Sequence, residues 1–382
     1  MVSRLLSTVK NTLKHQSGLL VKPFGLHLLD KAETEQLLQP YQIYRNDGRT
    51  LTLPAVPNPA DSTKRVFAET TIQTAPARVW QYENVASANR NQTARQLRSG
   101  GLVIGRQVPD TDFGNSALVK DLLKRDRRES DATQTLIAPW SHHWFGYYDY
   151  LLFVAAKLCR IRAVLPDDQF AGATVAYPLT QTTFERELLE LIGCRPDQIR
   201  DSRQTAVRFQ TAVLGNNASW FYPNDTDLLS LKQRVEAGVP VTADEPTGQR
   251  IYIQRTGRRR ILNEDALLTM LERYGFVVAP DVPRSVAEQV RLYRSGSFII
   301  GPHGASFANV LWCRPGTQLF ELFSPDYVPE YFRYLAAVLD LRYVGYYEGD
   351  TANGSDYSHV ADDITVSVDQ VERAVAQLLE NE

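Results

Sequence analysis

The sequence predicts an α/β protein of two domains, each built on a sheet of parallel strands. Three observations carry this. From residue 251 onward, short apolar runs alternate with amphipathic stretches of helical period. A second, less regular alternation of the same kind occupies residues 134–191. Between them the segment from Ala237 to Gly248, with Gly238, Pro240, Pro246 and Gly248, has the composition of a linker. The boundaries that follow are 1–237 for the first domain, 238–248 for the linker, 249–350 for the second domain and 351–382 for a tail with a terminal helix. A chain of 382 residues suits two domains of ordinary size.

In the second domain the elements read in order. Ile251 to Gln254 form a strand. Leu267, Met270, Leu271 and Tyr274 fall at i, i+3, i+4 and i+7 of a helix stopped by Gly275. Phe276 to Ala279 form a strand, and Ser285 with Glu288 makes a capping box for the next helix. Ser297 to Ile300 form a strand that leads into a helix from Ala305; then come the strand Gln318 to Leu322, a helix around Pro329 to Leu339 and the strand Arg342 to Tyr346. Strict alternation places helices on the faces of a parallel sheet and a ligand at the carboxyl ends of its strands. Arg255, His303 and Glu321 lie at such ends. The terminal stripe Val368, Val371, Val375, Leu378 and Leu379 requires a packing partner.

The first domain repeats the pattern with a strand at 134–138, a helix at 144–159, a strand at 173–177 and a helix at 184–191. A net charge of −2 gives no general attraction to nucleic acid. Its distribution is uneven, because residues 1–29 carry +4 and the rest −6. Leu5, Leu6, Val9 and Leu13 share one helical face with basic residues elsewhere on the cylinder. This helix either packs on its own domain, the commoner fate, or makes a peripheral membrane contact through residues 1–20. No apolar run reaches the roughly 20 residues of a membrane span, and the start lacks the form of a cleavable signal. Cys159, Cys194 and Cys313 are too scattered for a disulfide scaffold or a metal site, which fits a cytoplasmic setting.

The chemistry concentrates in two segments. In Ser297-Phe-Ile-Ile-Gly-Pro-His-Gly-Ala-Ser-Phe-Ala-Asn309 a strand ends in a glycine turn, where Gly301 and Gly304 are expected to adopt backbone angles closed to other residues. The first free N–H groups of the following helix, at Ala305 and Ser306, suit an anion. In Ile251-Tyr-Ile-Gln-Arg-Thr-Gly-Arg-Arg-Arg260 a strand runs into four arginines, and the planar forks of Arg255 and Arg259 match phosphate oxygens. A solvated basic loop is the plainer reading of that run. His303 either bonds a diphosphate or donor sugar, or fixes the turn. Glu321 either accepts from ribose hydroxyls or pairs with an arginine. Asn309 either touches ligand or holds the loop.

These segments carry a family resemblance. The order Tyr-Ile-x-Arg-x-x-x-Arg-x-Ile-x-Asn-Glu264, then Tyr274-Gly-Phe276, then Gly301-x-His-Gly-Ala-x-x-x-Asn309, then Arg314-Pro-Gly-Thr-x-x-x-Glu-Leu322, resembles the family 61 glycosyltransferases over residues 250–325. Upstream, Ser141-His-His-Trp-Phe-Gly-Tyr-Tyr-Asp149 resembles the family's aromatic segment, without the Leu-Pro-Arg that commonly follows it. The resemblance implies two Rossmann-like domains facing a cleft, the arrangement called GT-B, with a terminal helix crossing back to the first domain. It also implies inverting transfer from a nucleotide sugar, UDP favoured, to a glycan or polysaccharide acceptor such as a capsule.

Such a transfer needs charge stabilisation on the leaving diphosphate and a base for the acceptor hydroxyl. Arg255, Arg259 and the turn Gly301, His303, Gly304, Ala305, Ser306 and Asn309 serve the first need, with Glu321. His143, His142 and Asp149 are the candidates for the second, His143 foremost. Asp110-Thr-Asp112 and Asp225-Thr-Asp227 match the short metal clamp of another glycosyltransferase fold, but Asn224 to Asp227 also reads as a helix cap. No cofactor and no essential metal are expected. Two other readings are a non-catalytic nucleotide- or glycan-binding protein and a nucleotide-dependent oxidoreductase; the second lacks three-glycine spacing at Gly301-Pro-His-Gly304. The sequence leaves the oligomeric state open.

Overall fold

The computed structural model describes residues 22–84, 93–122, 126–141, 144–350 and 357–380. The amphipathic stretch expected within residues 1–20 lies outside them, as do His142 and His143. The chain divides into two compact units, residues 1–48 with 74–235 and residues 49–73 with 236–382. This differs from the expected break at 237 in one respect: residues 49–73 belong with the carboxyl-terminal half. The reason is local packing. Buried Arg333 donates to the carbonyls of Leu53 (2.7 Å), Pro54 (2.8 Å) and Ala68 (2.7 Å), and Asn58 Nδ2 donates to the Tyr347 carbonyl at 3.0 Å.

The first unit holds a six-stranded sheet of β1 (Gln42–Asn46), β2 (Ala77–Glu83), β3 (Glu129–Ala138), β4 (Thr174–Tyr177), β5 (Ile199–Asp201) and β6 (Thr205–Gly215), in the order β5-β4-β3-β6-β2-β1. β3, β4, β5 and β6 run parallel, whereas β2 pairs antiparallel with both β6 and β1. The expected parallel sheet is therefore mixed. Leu136, Ala138, Ala176, Ala212 and Leu214 bury one face of it with Trp80 and Tyr82. The helix after the aromatic segment is continuous but changes pitch: Tyr147–Asp149 is α-helical, Tyr150–Ala155 is π-helical, and α1 (Ala156–Val164) resumes the α form. All six residues of the π turn are buried.

The second unit holds a five-stranded sheet, all parallel: β7 (Gln249–Ile253), β8 (Phe276–Ala279), β9 (Gly296–Pro302), β10 (Gln318–Leu322) and β11 (Arg342–Tyr346), in the order β8-β7-β9-β10-β11. Its central strands β7, β9 and β10 are largely buried, as helices on both faces demand, and read as apolar runs such as Phe298-Ile-Ile300, whereas the edge strand β8 exposes Val277 and Val278. The connections are α2 (Glu264–Arg273), α3 (Val286–Ser295), a 3₁₀ helix (Ala305–Trp312) and α4 (Tyr331–Leu339). α2 ends at Gly275, whose φ of 74° lies in the left-handed region that favours glycine. α3 opens on the expected capping box: the Ser285 hydroxyl accepts from Glu288 N, and the Glu288 carboxylate accepts from Ser285 N at 2.7 Å.

The terminal helix α5 (Val368–Glu380) lays Val371, Ala374 and Val375 into the same core as Leu267, Met270 and Leu271 of α2. Arg273 and the Tyr274 hydroxyl both reach the Glu372 carboxylate. The expected return of this helix to the first domain is thus corrected: its apolar stripe is satisfied within the second unit.

Candidate functional site

β7 and β9 are neighbours in the second sheet, so the loops that leave their carboxyl ends lie side by side. This brings the arginine run and the glycine turn together. Arg255 is half-buried, and its Nη1 lies so close to the turn that a Cβ on Gly304 would meet it at 1.8 Å. A Cβ on Gly301 would stand 2.8 Å from the Ile253 carbonyl. Both glycines are needed for space, not for their backbone angles: Gly304 is extended, with φ 173°, and Gly301 has no positive φ.

Arg259 is only 5% exposed. Its φ of 62° is a left-handed value uncommon outside glycine and a sign of strain held by its surroundings. The holders are backbone carbonyls: Nε donates to His303 O at 3.1 Å and Nη1 to Val360 O at 2.5 Å, while the guanidinium carbon sits 5.7 Å over the Tyr327 ring. Burial, then Arg255 and Arg258, push its pKa down to about 10. Arg255 is likewise shifted down, by burial and then Arg258. Among the described residues no carboxylate forms an ion pair with Arg255 or Arg259. Two partly desolvated cations without a directly paired carboxylate, Asp281 acting on Arg255 only at longer range, favour an anionic ligand beside them.

The turn supplies further donors. Ala305 and Ser306 open the 3₁₀ helix, so their N–H groups have no intrahelical carbonyl to reach. Asn309, expected either to touch ligand or to hold the loop, is 2% exposed; its amide donates to Gln289 and to Ser306 O, and it accepts from Trp312 Nε1 at 3.0 Å. It holds the helix to α3. The expected role of Glu321 is corrected. It is fully buried, with Oε1 2.5 Å from His303 Nδ1 and Oε2 accepting from the Tyr343 hydroxyl at 2.5 Å, so neither oxygen is left for ribose. His303 itself is 4% exposed and stands among Phe323, Tyr327, Tyr331 and Phe332, with ring centroids 5.4–6.1 Å away. Burial, aided by Arg259 and Arg255, holds its pKa well below the ordinary 6.5. Tyr343 and the aromatic cage were not singled out by sequence; no spacing rule connects them to the turn.

In the first unit, Asp149 is the third residue of the helical turn opened by Gly146, and a Cβ on Gly146 would lie 2.7 Å from its Oδ2. A carboxylate in that first turn complements the helix dipole. Trp144 and Phe145 stack at 4.0 Å, and Phe145 is 66% exposed. Upstream, Trp140 and Ser141 are each anchored by a hydrogen bond. Buried Lys157 on α1 donates to Trp140 O at 2.5 Å, and the Ser141 hydroxyl donates to Asp112 at 3.2 Å.

Both Asp-x-Asp segments are engaged by protein groups. Asp112 also accepts from Asn217 at 2.6 Å, and Asp227 pairs with Arg160 at 3.0 Å, its pKa raised by burial to about 6 against the pull of Arg160 and Lys157. Asn224 accepts from Asp227 N, as the capping reading requires. Elsewhere, Asp326, His359 and Asp362 bring one ligand-type atom each within 4.8 Å of one another. The three cysteines are buried, and among the described residues there is no disulfide. No helix among the described residues is long and apolar enough to cross a membrane.

The sequence model of the glycosyltransferase 61 family matches residues 132–320. The chain belongs to glycosyltransferase family 61. The family 61 match spans the aromatic segment, the arginine run and the glycine turn alike. Over 157 residues this family 61 chain is 29% identical to the xylan glycosyltransferase MUCI21 of Arabidopsis thaliana, covering 40% of the chain and 31% of that relative. It therefore matches about a third of the relative's length. Among solved structures it is similar to the dodecameric iron-containing heptosyltransferase TibC in complex with ADP-D-beta-D-heptose. That similarity has 13% identity, coverage of 88% of this chain and 94% of the other, and a TM-score of 0.30, too low to carry an assignment of fold.

Proposed function

We propose that this family 61 protein is a glycosyltransferase that binds the diphosphate of a nucleotide sugar at the turn Gly301 to Ser306 and passes the sugar to a glycan or polysaccharide acceptor. The observation that carries the reading is the pair Arg255 and Arg259: both are desolvated, neither is ion-paired to a carboxylate, and both adjoin the open end of a helix. Donor groups held in place before the ligand arrives stabilise charge as it develops on the leaving diphosphate, without reorganisation at the moment of bond breaking. The Arg259 guanidinium is held in place by its own Nε and Nη1, which donate to His303 O and Val360 O, and by Tyr327, and this leaves its Nη2 donors for an anion.

In this reading UDP-sugars are the donors and inversion is the stereochemical course, both following from the family resemblance. The arginines and helix end take the place of a metal. The acceptor hydroxyl loses its proton to a group of the first unit, His143 foremost, with His142 and Asp149 as alternatives. The arrangement of two domains about a cleft belongs to the same proposal, and so does action at the cytoplasmic face.

Thermal stabilisation of the full chain by UDP, GDP, CDP and NADH tests the proposal. A ligand at 100 times its dissociation constant adds about 2.7 kcal/mol to stability. UDP should give the largest shift; stabilisation by NADH alone would overturn the reading in favour of an oxidoreductase.

A further inference from the structure

His303, Glu321 and Tyr343 form a buried chain of three titratable groups from the ends or interiors of three adjacent strands. The Tyr343 hydroxyl donates to one carboxylate oxygen, and the other lies 2.5 Å from His303 Nδ1. His303 Nε2 makes no hydrogen bond to any described residue. The ring is held on its faces and edges by Phe323, Tyr327, Tyr331 and Phe332. Its backbone N–H donates to Leu322 O at 2.8 Å, and its carbonyl receives Arg259. The ring is therefore fixed in plane and position, and the one property left to set is where its proton resides.

Physical chemistry constrains that property. A phosphate oxygen only accepts, so a ring nitrogen facing it must donate. Burial opposes an ionised carboxylate at Glu321, which raises its pKa well above 4.5 against the opposing pull of Tyr343 and Arg259. Burial and the two arginines oppose an imidazolium at His303. One proton in the Glu321–Nδ1 contact satisfies both demands, and the ring then keeps its own hydrogen on Nε2.

We propose that Tyr343 and Glu321 are a positioning pair that keeps His303 uncharged with its proton on Nε2, so that the ring donates a hydrogen bond to a phosphate oxygen of a nucleoside diphosphate bound at the turn. This rests on the diphosphate reading given above. It makes Glu321 and Tyr343 specificity elements that never touch the ligand. It also excludes His303 as the base in transfer, since its free nitrogen already carries hydrogen. The groups facing the ring are Arg255, Arg259, Glu321, Tyr327 and Tyr331, and the two cations disfavour any further proton there.

The test is long-range proton–nitrogen correlation of the imidazole rings in the full chain labelled with nitrogen-15 histidine, first without ligand and then with UDP. His303 is assigned by its loss in His303→Gln, or by replacing the other five histidines in turn if that variant does not fold. The expected result is a neutral ring protonated on Nε2 throughout pH 6.5–8.5, whose Nε2 signal moves on adding UDP. A proton on Nδ1 with a bare Nε2, or an imidazolium, overturns the proposal even if UDP binds normally. So does an Nε2 signal that UDP binding leaves in place. If the ring is Nε2-protonated but calorimetry detects no binding of UDP, GDP or CDP, the diphosphate reading fails, and with it the ligand contact. Glu321→Gln, whose amide can donate to Nδ1, should keep UDP affinity within about threefold, whereas Glu321→Leu should lower it about tenfold.

Discussion

Arg255 passes over Gly304 with no room for a methyl group between them: a Cβ at residue 304 would lie 1.8 Å from Nη1 and 2.8 Å from the guanidinium carbon. The arginine run and the glycine turn are one unit, although 49 positions separate these two residues. Gly304→Ala should therefore act as an arginine mutation. UDP affinity should fall about tenfold or more as Arg255 is displaced, with a loss of stability of only about 1–2 kcal/mol because the guanidinium is the flexible end of its side chain. Calorimetry and urea unfolding on the same preparation decide it; a large loss of stability with unchanged affinity would refute the coupling.

Arg259→Ala should weaken UDP binding far more than Arg258→Ala. Arg259 is buried, strained and pinned beside the turn, whereas Arg258 is exposed. Removing a charge-assisted bidentate contact costs about 1.5–3 kcal/mol. Equal and small effects in titration calorimetry would remove Arg259 from the site.

If cationic side chains and a helix end meet the diphosphate as proposed, transfer should persist within a few-fold in excess EDTA. Complete loss restored by manganese or magnesium would reject this. Asp326, His359 and Asp362 would then be the first residues to replace.

The His303–Glu321 pair should leave a mark on stability against pH. Folded, the pair holds one proton. Unfolded, with ordinary values of 4.5 and 6.5, it also holds one between those pH values. Above pH 6.5 the unfolded chain has released that proton while the folded pair keeps its own, so stability falls as pH rises, by up to about 1.4 kcal/mol per unit. Glu321→Gln has no such proton to keep. The stability of the wild type relative to this variant, measured by urea unfolding, should decline from pH 7 to pH 9; parallel curves would mean that Glu321 is ionised.

His143→Ala should reduce turnover roughly 100-fold or more with donor affinity unchanged, as for a group acting in the transition state. Asp149→Asn should lower stability instead, since this carboxylate lies in the first turn of its helix. If Asp149→Asn abolishes transfer while His143→Ala only destabilises, the roles are reversed.

Much of the second unit was legible because crossover strands carry their own punctuation. Phe276–Ala279, Gln318–Leu322 and Arg342–Tyr346 fall where apolar runs end at turn residues, and Ser285 with Glu288 announces α3. The arginines and the turn stand out in the sequence because phosphate chemistry draws on few residue types, and the adjacency of β7 and β9 brings them together. Glu321 reads as a ligand contact because a polar residue at a strand end does so unless its buried partners, Tyr343 and His303, are known, whereas Asn309 takes the loop-holding one of its two expected roles. The membership of residues 49–73 was illegible, because a hairpin's pattern says that it pairs and not which core it covers. The π turn at Tyr150–Ala155 was hidden too, since an apolar run shows no period when every side is buried.

The detour of residues 49–73 sets an order on biosynthesis. The second unit requires Leu53, Pro54 and Ala68 for Arg333, yet these leave the ribosome before most of the first unit, while α4 follows far behind. Its early hairpins must wait through some 160 intervening residues, 74–235, before their partner exists. A fragment beginning at residue 236 would expose a buried guanidinium stripped of three carbonyls, so the second unit cannot be harvested by a single cut. Joining 49–73 to 236–382 through a designed linker is the shortest chain that keeps its contacts.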